Sequence, residues 1–192
     1  MHPPRIVVLV TILGVLVTGC TPTPAPEPSP VPSVPTCVPE FGGEPFPCTQ
    51  AEHDANQKML ARYAEAERVY REFARLSEAE LVSRRPAPSP ELMALTSGSR
   101  SSVMAQLRTQ ALESATYSGE RTIVWVKSTP HASGARGNHS MLVCSDFSAW
   151  VVTRTDRQPG PSGRAATLVL FDDASGRTTV VDLKPGEDAT CV

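Results

Sequence analysis

The hydrophobic periodicity of the chain changes once, at Gly119, and this change restricts the possible folds more than any other feature. Before Gly119, apolar residues recur every three or four positions, as they do in amphipathic helices. Beyond it they recur every second position, as they do in strands with one buried face. Helices followed by strands favour an α+β domain. The sequence therefore predicts, over residues 49–192, N-terminal helices packed on a curved four-stranded antiparallel sheet.

The first half contains the pattern of one long helix. Thr49-Gln50-Ala51-Glu52 has the form of a capping box, in which the first and fourth side chains satisfy backbone N–H groups at a helix start. We expect the helix to span about residues 50–76, with its charged face in solvent. Its core-facing residues share a helical spacing: Met59, Tyr63, Ala66, Tyr70 and Phe73.

Shorter helices are predicted after it. Ser77-Glu78-Ala79-Glu80 repeats the capping-box pattern, so we expect the long helix to end near Leu76 and a short one to restart. Ser89 followed by Pro90 predicts an N-cap and a helical turn through Leu95. A further amphipathic helix is predicted over about 101–115, with an apolar face of Val103, Leu107 and Ala111.

The second half contains four runs rich in β-forming residues, separated by loops with Gly, Pro and Asp. Such loops are typical of hairpins and predict an antiparallel meander. The second run is long for one strand, and its polar Ser145, Asp146 and Ser148 predict a bulge or a sharp bend. The four runs are Arg121–Ser128, about His139–Thr153, Ala165–Phe171 and Thr178–Leu183.

The N-terminus carries an apolar run over residues 6–17, which has the length of a signal-peptide core. It is shorter than the roughly 18–20 residues that cross a bilayer as a helix. Val17-Thr18-Gly19-Cys20 follows and resembles the lipobox of bacterial lipoproteins, with valine where leucine is usual. The resemblance implies removal of a signal peptide over 1–19, lipidation of Cys20, and anchoring on the extracytoplasmic face of the cell membrane. An ordinary secretory signal with a chance cysteine is the alternative.

Residues 20–48 are predicted to form a lipidated cysteine, a stalk and a disulfide loop. Proline occupies nearly every second position between residues 21 and 36, which favours an extended polyproline II spacer. A ligand for a proline-binding module and an O-glycosylated stalk are the alternatives.

Four cysteines follow Cys20, an even number that predicts two disulfides in an exported chain. The spacing permits three connectivities. We favour Cys37–Cys48, which flanks one Pro/Gly-rich loop, and Cys144–Cys191, which ties the chain end to a strand. The sequence contains no C-x-x-C pair, so we expect neither a zinc site nor another metal or cofactor.

The order of elements, the aromatic long helix with Tyr63 and Tyr70, and the Cys144–Ser148 stretch resemble the nuclear-transport-factor-2-like (cystatin-like cone) superfamily. More narrowly, they resemble exported lipoproteins of high-GC Gram-positive (actinobacterial-type) bacteria that carry such domains. The resemblance implies a cone-shaped sheet whose mouth can hold a small apolar ligand. Some relatives are isomerases or polyketide cyclases that use an Asp or His base.

The candidate catalytic residues that this resemblance implies are Asp146 and His139, and Tyr63, Tyr70 and Trp125 would line the pocket. A buried carboxylate in an apolar pocket can be tuned into a base. The simpler interpretation makes Asp146 a turn residue bonded to backbone, His139 an exposed residue, and the aromatic residues part of the core.

Net charge and motifs exclude several classes of protein. The formal net charge is −2 and the basic residues are not clustered, so no nucleic-acid partner is expected. G-x-S-x-G, H-E-x-x-H and phosphate-loop motifs do not occur. The sequence thus predicts a membrane-anchored lipoprotein with a non-catalytic binding or scaffold domain, for an extracytoplasmic protein or a small apolar ligand.

The alternative is a small-molecule binder or an isomerase/cyclase-like enzyme that uses the cone pocket. It requires Asp146 or His139 to face an open apolar cavity of roughly 300 Å³ or more. A glycan-binding module, a third possibility, requires exposed aromatic residues, of which Trp150 is the candidate.

Overall fold

The structure, a computed structural model, describes residues 34–131, 135–155 and 162–191. The predicted signal peptide, Cys20 and most of the proline-rich stalk lie outside the described residues. Within the described ranges, none of the helices has both the length and the apolar character needed to cross a membrane.

The described residues form an α+β domain with one long helix, as the sequence predicts. The helices are α1 (Gln50–Val82), α2 (Pro90–Ala94) and α3 (Gly98–Ser114). The strands are β1 (Thr36–Cys37), β2 (Phe46–Pro47), β3 (Ala115–Gly119), β4 (Thr122–Thr129), β5 (His139–Asp146), β6 (Trp150–Arg154), β7 (Arg164–Asp172) and β8 (Thr179–Pro185).

The main sheet is open and antiparallel, in the order β4-β5-β7-β8. The predicted meander is therefore confirmed for four strands. The predicted long second run is two strands, because the chain turns at Phe147–Ala149 and β6 leaves the sheet to pair with β3. The sharp bend is confirmed, whereas β3, at the end of the predicted third helix, was not expected as a strand.

The core lies between α1 and one face of the main sheet. Tyr63, Ala66, Tyr70 and Phe73 are buried there and Met59 is partly buried, which confirms the predicted face of α1. They pack on apolar residues of the sheet and of the shorter helices: Leu92, Met104, Met141, Val143, Val169, Phe171 and Val180. Burying a large apolar side chain contributes about 1.5–3 kcal/mol, so this layer provides much of the stability.

The prediction that the long helix ends near Leu76 is wrong, since α1 continues to Val82. The Thr49 capping box forms, but the Ser77 pattern lies inside the helix. Serine, glutamate and alanine all tolerate a helix interior. The last turns of α1 are also held by ion pairs to later elements, Glu78 with Arg121 at 2.7 Å and Glu80 with Arg108 at 3.1 Å.

The short helix after Ser89 is confirmed, with the Ser89 side chain capping Leu92 N. The third helix is also present, but its predicted apolar face is wrong. Val103 and Leu107 are 38% and 43% exposed, whereas Met104 and Arg108 are buried. Arg108 pairs with Glu80 inside the domain, so the buried face of the helix is shifted by about one position from the predicted one.

Two pairs of cysteines lie at disulfide distance, and they fit the favoured pairing. The sulfur atoms are 2.10 Å apart in Cys37–Cys48 and 2.00 Å apart in Cys144–Cys191. The first bond closes the loop before α1, and the second ties the C-terminal segment to β5.

Candidate functional site

His139 lies inside the core, and the interpretation of it as an exposed residue is wrong. It is 2% exposed and pairs in register with Phe171, on whose ring it stacks at 5.2 Å between centroids. The Tyr63 ring contacts it edge-on at 5.8 Å. Burial, followed by the positive charge of the nearby Arg62, lowers the pKa of His139 to about 4. The imidazole is therefore neutral near pH 7 and enclosed by side chains.

Asp146 ends β5 and forms a turn, as the simpler interpretation predicted. Its Oδ1 accepts a hydrogen bond from Ser148 N at 2.8 Å, and Arg164 Nε lies 3.6 Å from Oδ2. Hydrogen bonds from Ser148, followed by the Arg164 contact, lower the pKa of this carboxyl. Because His139 and Asp146 occupy opposite ends of an eight-residue strand, they stand about 23 Å apart at 3.3 Å per residue. They do not form one site.

The predicted pocket residues separate into two groups. Tyr63 and Tyr70 are buried in the core, as predicted for core residues. The Tyr63 hydroxyl donates to Glu40 Oε1 at 2.8 Å, and burial followed by that bond raises the pKa of Tyr63. Trp125 is only half-buried and is not part of the core cluster, so its core assignment is wrong, whereas its assignment to a pocket stays a prediction. Lys127 Nζ lies 4.0 Å from the centre of its ring.

Trp150 is 8% exposed and packs against Tyr117, so the prediction that it is exposed is wrong. The bend before β6 reverses the side of the chain that faces solvent. The strongly exposed aromatic residues of the described part of the chain are Phe41 and Phe46, both in the Cys37–Cys48 loop.

Several cavities open at the surface of the domain. One of about 420 Å³ lies between the second half of α1 and the β3–β4 turn. Arginines line it, but each is already paired with a glutamate at 2.6–2.7 Å. Those arginines are Arg71, Arg75 and Arg121.

A second cavity of about 190 Å³ adjoins the first and shares Glu78 and Arg121 with it. We call it the arginine groove. Its walls combine aromatic rings with two guanidinium groups: Tyr70, Phe73, Phe147, Trp150, Arg100 and Arg121. A third cavity of about 150 Å³ shares Arg100 with the groove and is also lined by Arg108.

Several guanidinium N–H groups at these cavities lack hydrogen-bond partners among the described residues. They are Arg100 Nε, Arg121 Nε, and Nε and Nη1 of Arg108, all buried. A buried donor without a partner is unfavourable by about 1–3 kcal/mol. Burial lowers the pKa of both Arg100 and Arg108.

The sequence reasoning missed these arginines, although a signal was present. Arg100, Met104 and Arg108 follow one another at a spacing of four residues, which places them on one helix face. An arginine one helical turn before and one turn after a buried methionine indicates that the buried face of the helix also carries charged residues.

Cys37, Cys48 and His53 offer ligand atoms that lie within 4.8 Å of one another. The two sulfurs are bonded to each other, however, and a metal binds the thiolate form of cysteine. This group therefore does not form a metal centre in the oxidised domain.

No protein-family model matches the chain, and neither the curated proteins nor the solved structures include a match to it. The class that the described residues define is thus an α+β domain with a long helix and open antiparallel sheets. The likeness to the nuclear-transport-factor-2-like superfamily stays a prediction.

Proposed function

We propose that the chain is a lipid-anchored extracytoplasmic protein whose domain binds a partner or ligand and catalyses no reaction. The positions of His139 in the core and of Asp146 in a surface turn carry the non-catalytic part of this proposal. The basic atom of a general base must lie about 2.6–3.2 Å from the heavy atom that carries the proton, or reach it through one water. His139 is enclosed in the core and Asp146 is held in a surface turn, so neither has the placement of a base in a pocket.

The anchor rests on the residues around Cys20. An apolar run followed by Val17-Thr18-Gly19-Cys20 resembles the substrate pattern of lipoprotein processing, and a proline-rich spacer follows it. Several acyl chains, at about 0.8 kcal/mol for each buried methylene, would bind the membrane firmly. Two cysteine pairs at disulfide distance support an oxidising compartment outside the cytoplasm.

The nuclear-transport-factor-2-like cone belongs to the same proposal. A long helix across one face of a four-stranded antiparallel sheet supports it. The space between helix and sheet is filled by core side chains, which argues against a ligand in the mouth of a cone. The arginine groove, which Tyr70 and Phe73 of α1 and Leu183 of β8 help to line, favours the second candidate function, a small-molecule binder.

Fractionation of cells that express the Cys20→Ser variant tests the anchor. The wild-type chain and a matched Thr21→Ser control should be found in the membrane fraction as the processed form. Cys20→Ser should either leave that fraction or accumulate as a larger precursor. Unchanged size and unchanged membrane association of Cys20→Ser would refute lipidation.

A further inference from the structure

We propose that the arginine groove binds a small aromatic carboxylate, with its carboxylate on Arg100 and its ring between the aromatic walls. This inference rests on the proposed function, that the domain is a binding module, and it names the chemistry of the ligand. Three observations carry it: an unneutralised guanidinium, a second donor held in place, and walls that suit a flat apolar group.

Arg100 is the cation without a counter-charge. It makes no ion pair within 4 Å among the described residues, and its Nε is buried without a hydrogen-bond partner there. Asp182 interacts with Arg100 only through longer-range electrostatics. The Arg100 guanidinium lies 5.5 Å from the centre of the Phe73 ring. A guanidinium presents a planar fork of donors that matches a carboxylate in a bidentate arrangement. A ligand carboxylate would supply the acceptors that the fold does not.

Arg121 provides the second donor, and its position is fixed. Glu78 holds its Nη2 at 2.7 Å, and its Nη1 donates to the Tyr70 hydroxyl at 3.3 Å. The guanidinium lies over the rings of Tyr70 and Phe147, at 5.9 and 5.6 Å from their centres. Arg121 lines the same cavity as Arg100.

The walls and the volume restrict the rest of the ligand. Phe73, Phe147 and Trp150 line the cavity, and aromatic faces pack well against flat unsaturated groups. A volume of about 190 Å³ holds roughly six water molecules. It is smaller than the roughly 300–1,000 Å³ of sites for drug-sized ligands. A single ring with one carboxylate fits these limits.

The neighbouring cavities are weaker candidates for an anion-binding site. The arginines of the 420 Å³ cavity are each neutralised by a glutamate. Arg108, in the 150 Å³ cavity, pairs with Glu80 at 3.1 Å. Among the described arginines that line these cavities, Arg100 differs in combining a donor without a partner and an aromatic wall with the lack of an ion pair.

Binding of benzoate to the purified domain tests the inference. The chain contains two tryptophans, and a Trp125→Phe background leaves Trp150, in the wall of the groove, as the fluorescent reporter. Benzoate should change its emission saturably, and isothermal titration should give the same affinity. Benzamide, which lacks the charge, and acetate, which lacks the ring, should each bind at least tenfold more weakly.

Arg100→Gln should weaken benzoate binding at least tenfold, and Arg100→Lys should weaken it less. Arg68→Gln is the matched control, since Arg68 is an exposed arginine on α1 that pairs with Glu65. Arg100→Gln also removes the guanidinium that lies over the Phe73 ring, so the far-UV circular dichroism spectrum, and not the melting temperature, verifies that the variant is folded. Equal benzoate binding by wild type and Arg100→Gln, equal binding of benzamide, or no binding of benzoate would each overturn the assignment.

The failure of this inference is distinguishable from failure of the proposed function. Loss of benzoate binding in a chain that still fractionates with the membrane through Cys20 overturns the ligand class alone. Benzoate binding by a chain that is neither processed nor membrane-bound would overturn the anchor and leave the groove assignment standing.

Discussion

Acidification should destabilise the domain through His139, because the fold holds this imidazole neutral. Its pKa is lowered from 6.5 to about 4, chiefly by burial. As the pH falls below 6.5, His139 therefore becomes protonated in the unfolded chain while it stays neutral in the folded chain. Stability contributed by the neutral ring is fully present above about pH 6.5 and is lost as the pH falls toward 4. By proton linkage the loss at pH 5 is about 2 kcal/mol, and the limit below pH 4 is about 3 kcal/mol.

Denaturant unfolding at pH 7.5 and pH 5.0, in wild type and in His139→Phe, measures this loss. Phenylalanine cannot titrate, and the loss of the contact between His139 Nδ1 and Asn138 Oδ1 at 2.8 Å lowers the stability of the variant at both pH values. Carboxyl groups titrate mainly below pH 5 and affect both chains alike. The wild type should lose about 2 kcal/mol more than the variant between the two pH values. Equal losses would show that His139 is accessible to protons in the folded chain and would refute its placement in the core.

Three further predictions concern packing and covalent structure. Glu80→Gln leaves the Arg108 guanidinium, which is 2% exposed, without its carboxylate partner. The variant should lower the free energy of unfolding by about 3 kcal/mol, and the double variant Glu80→Gln/Arg108→Met should recover at least half of that loss. Gly119→Ala should destabilise more than Gly176→Ala in the same assay. Both glycines have a φ of +78°, but an added Cβ at Gly119 would meet a backbone oxygen at 1.8 Å and one at Gly176 would meet nothing. Alkylation of the unreduced domain, read by mass spectrometry, should find no free thiol, and a labelled cysteine would contradict the two bonds.

Local patterns predicted most of the secondary structure. The four main strands follow the alternation of apolar residues between Gly- and Pro-containing loops, and the first helix starts at the Thr49 capping box. The end of that helix was mispredicted because a second capping pattern at Ser77 is equally good locally. Whether such a pattern caps a helix depends on partners far along the chain, here Arg108 and Arg121.

The candidate site was harder to predict, since it depends on which faces of the helices and strands pack against one another. His139 is buried because the sheet places it opposite Phe171, a pairing that no neighbouring residue indicates. Trp125, expected in the core, is half-buried, and Trp150, expected in solvent, is buried. A bulge and a bend decide which way each side chain points. Arg100 was missed because a charged residue on a helix is first assigned to solvent.

The central claim is that the chain is an exported domain tethered by lipid at Cys20. The most direct measurement is the intact mass of the chain purified from the membrane fraction, with its N-terminus identified by fragmentation. The account predicts a mature chain that begins at Cys20 and carries covalent acyl groups on it. A chain that retains residues 1–19, or that begins elsewhere with Cys20 removed or unmodified, would contradict it.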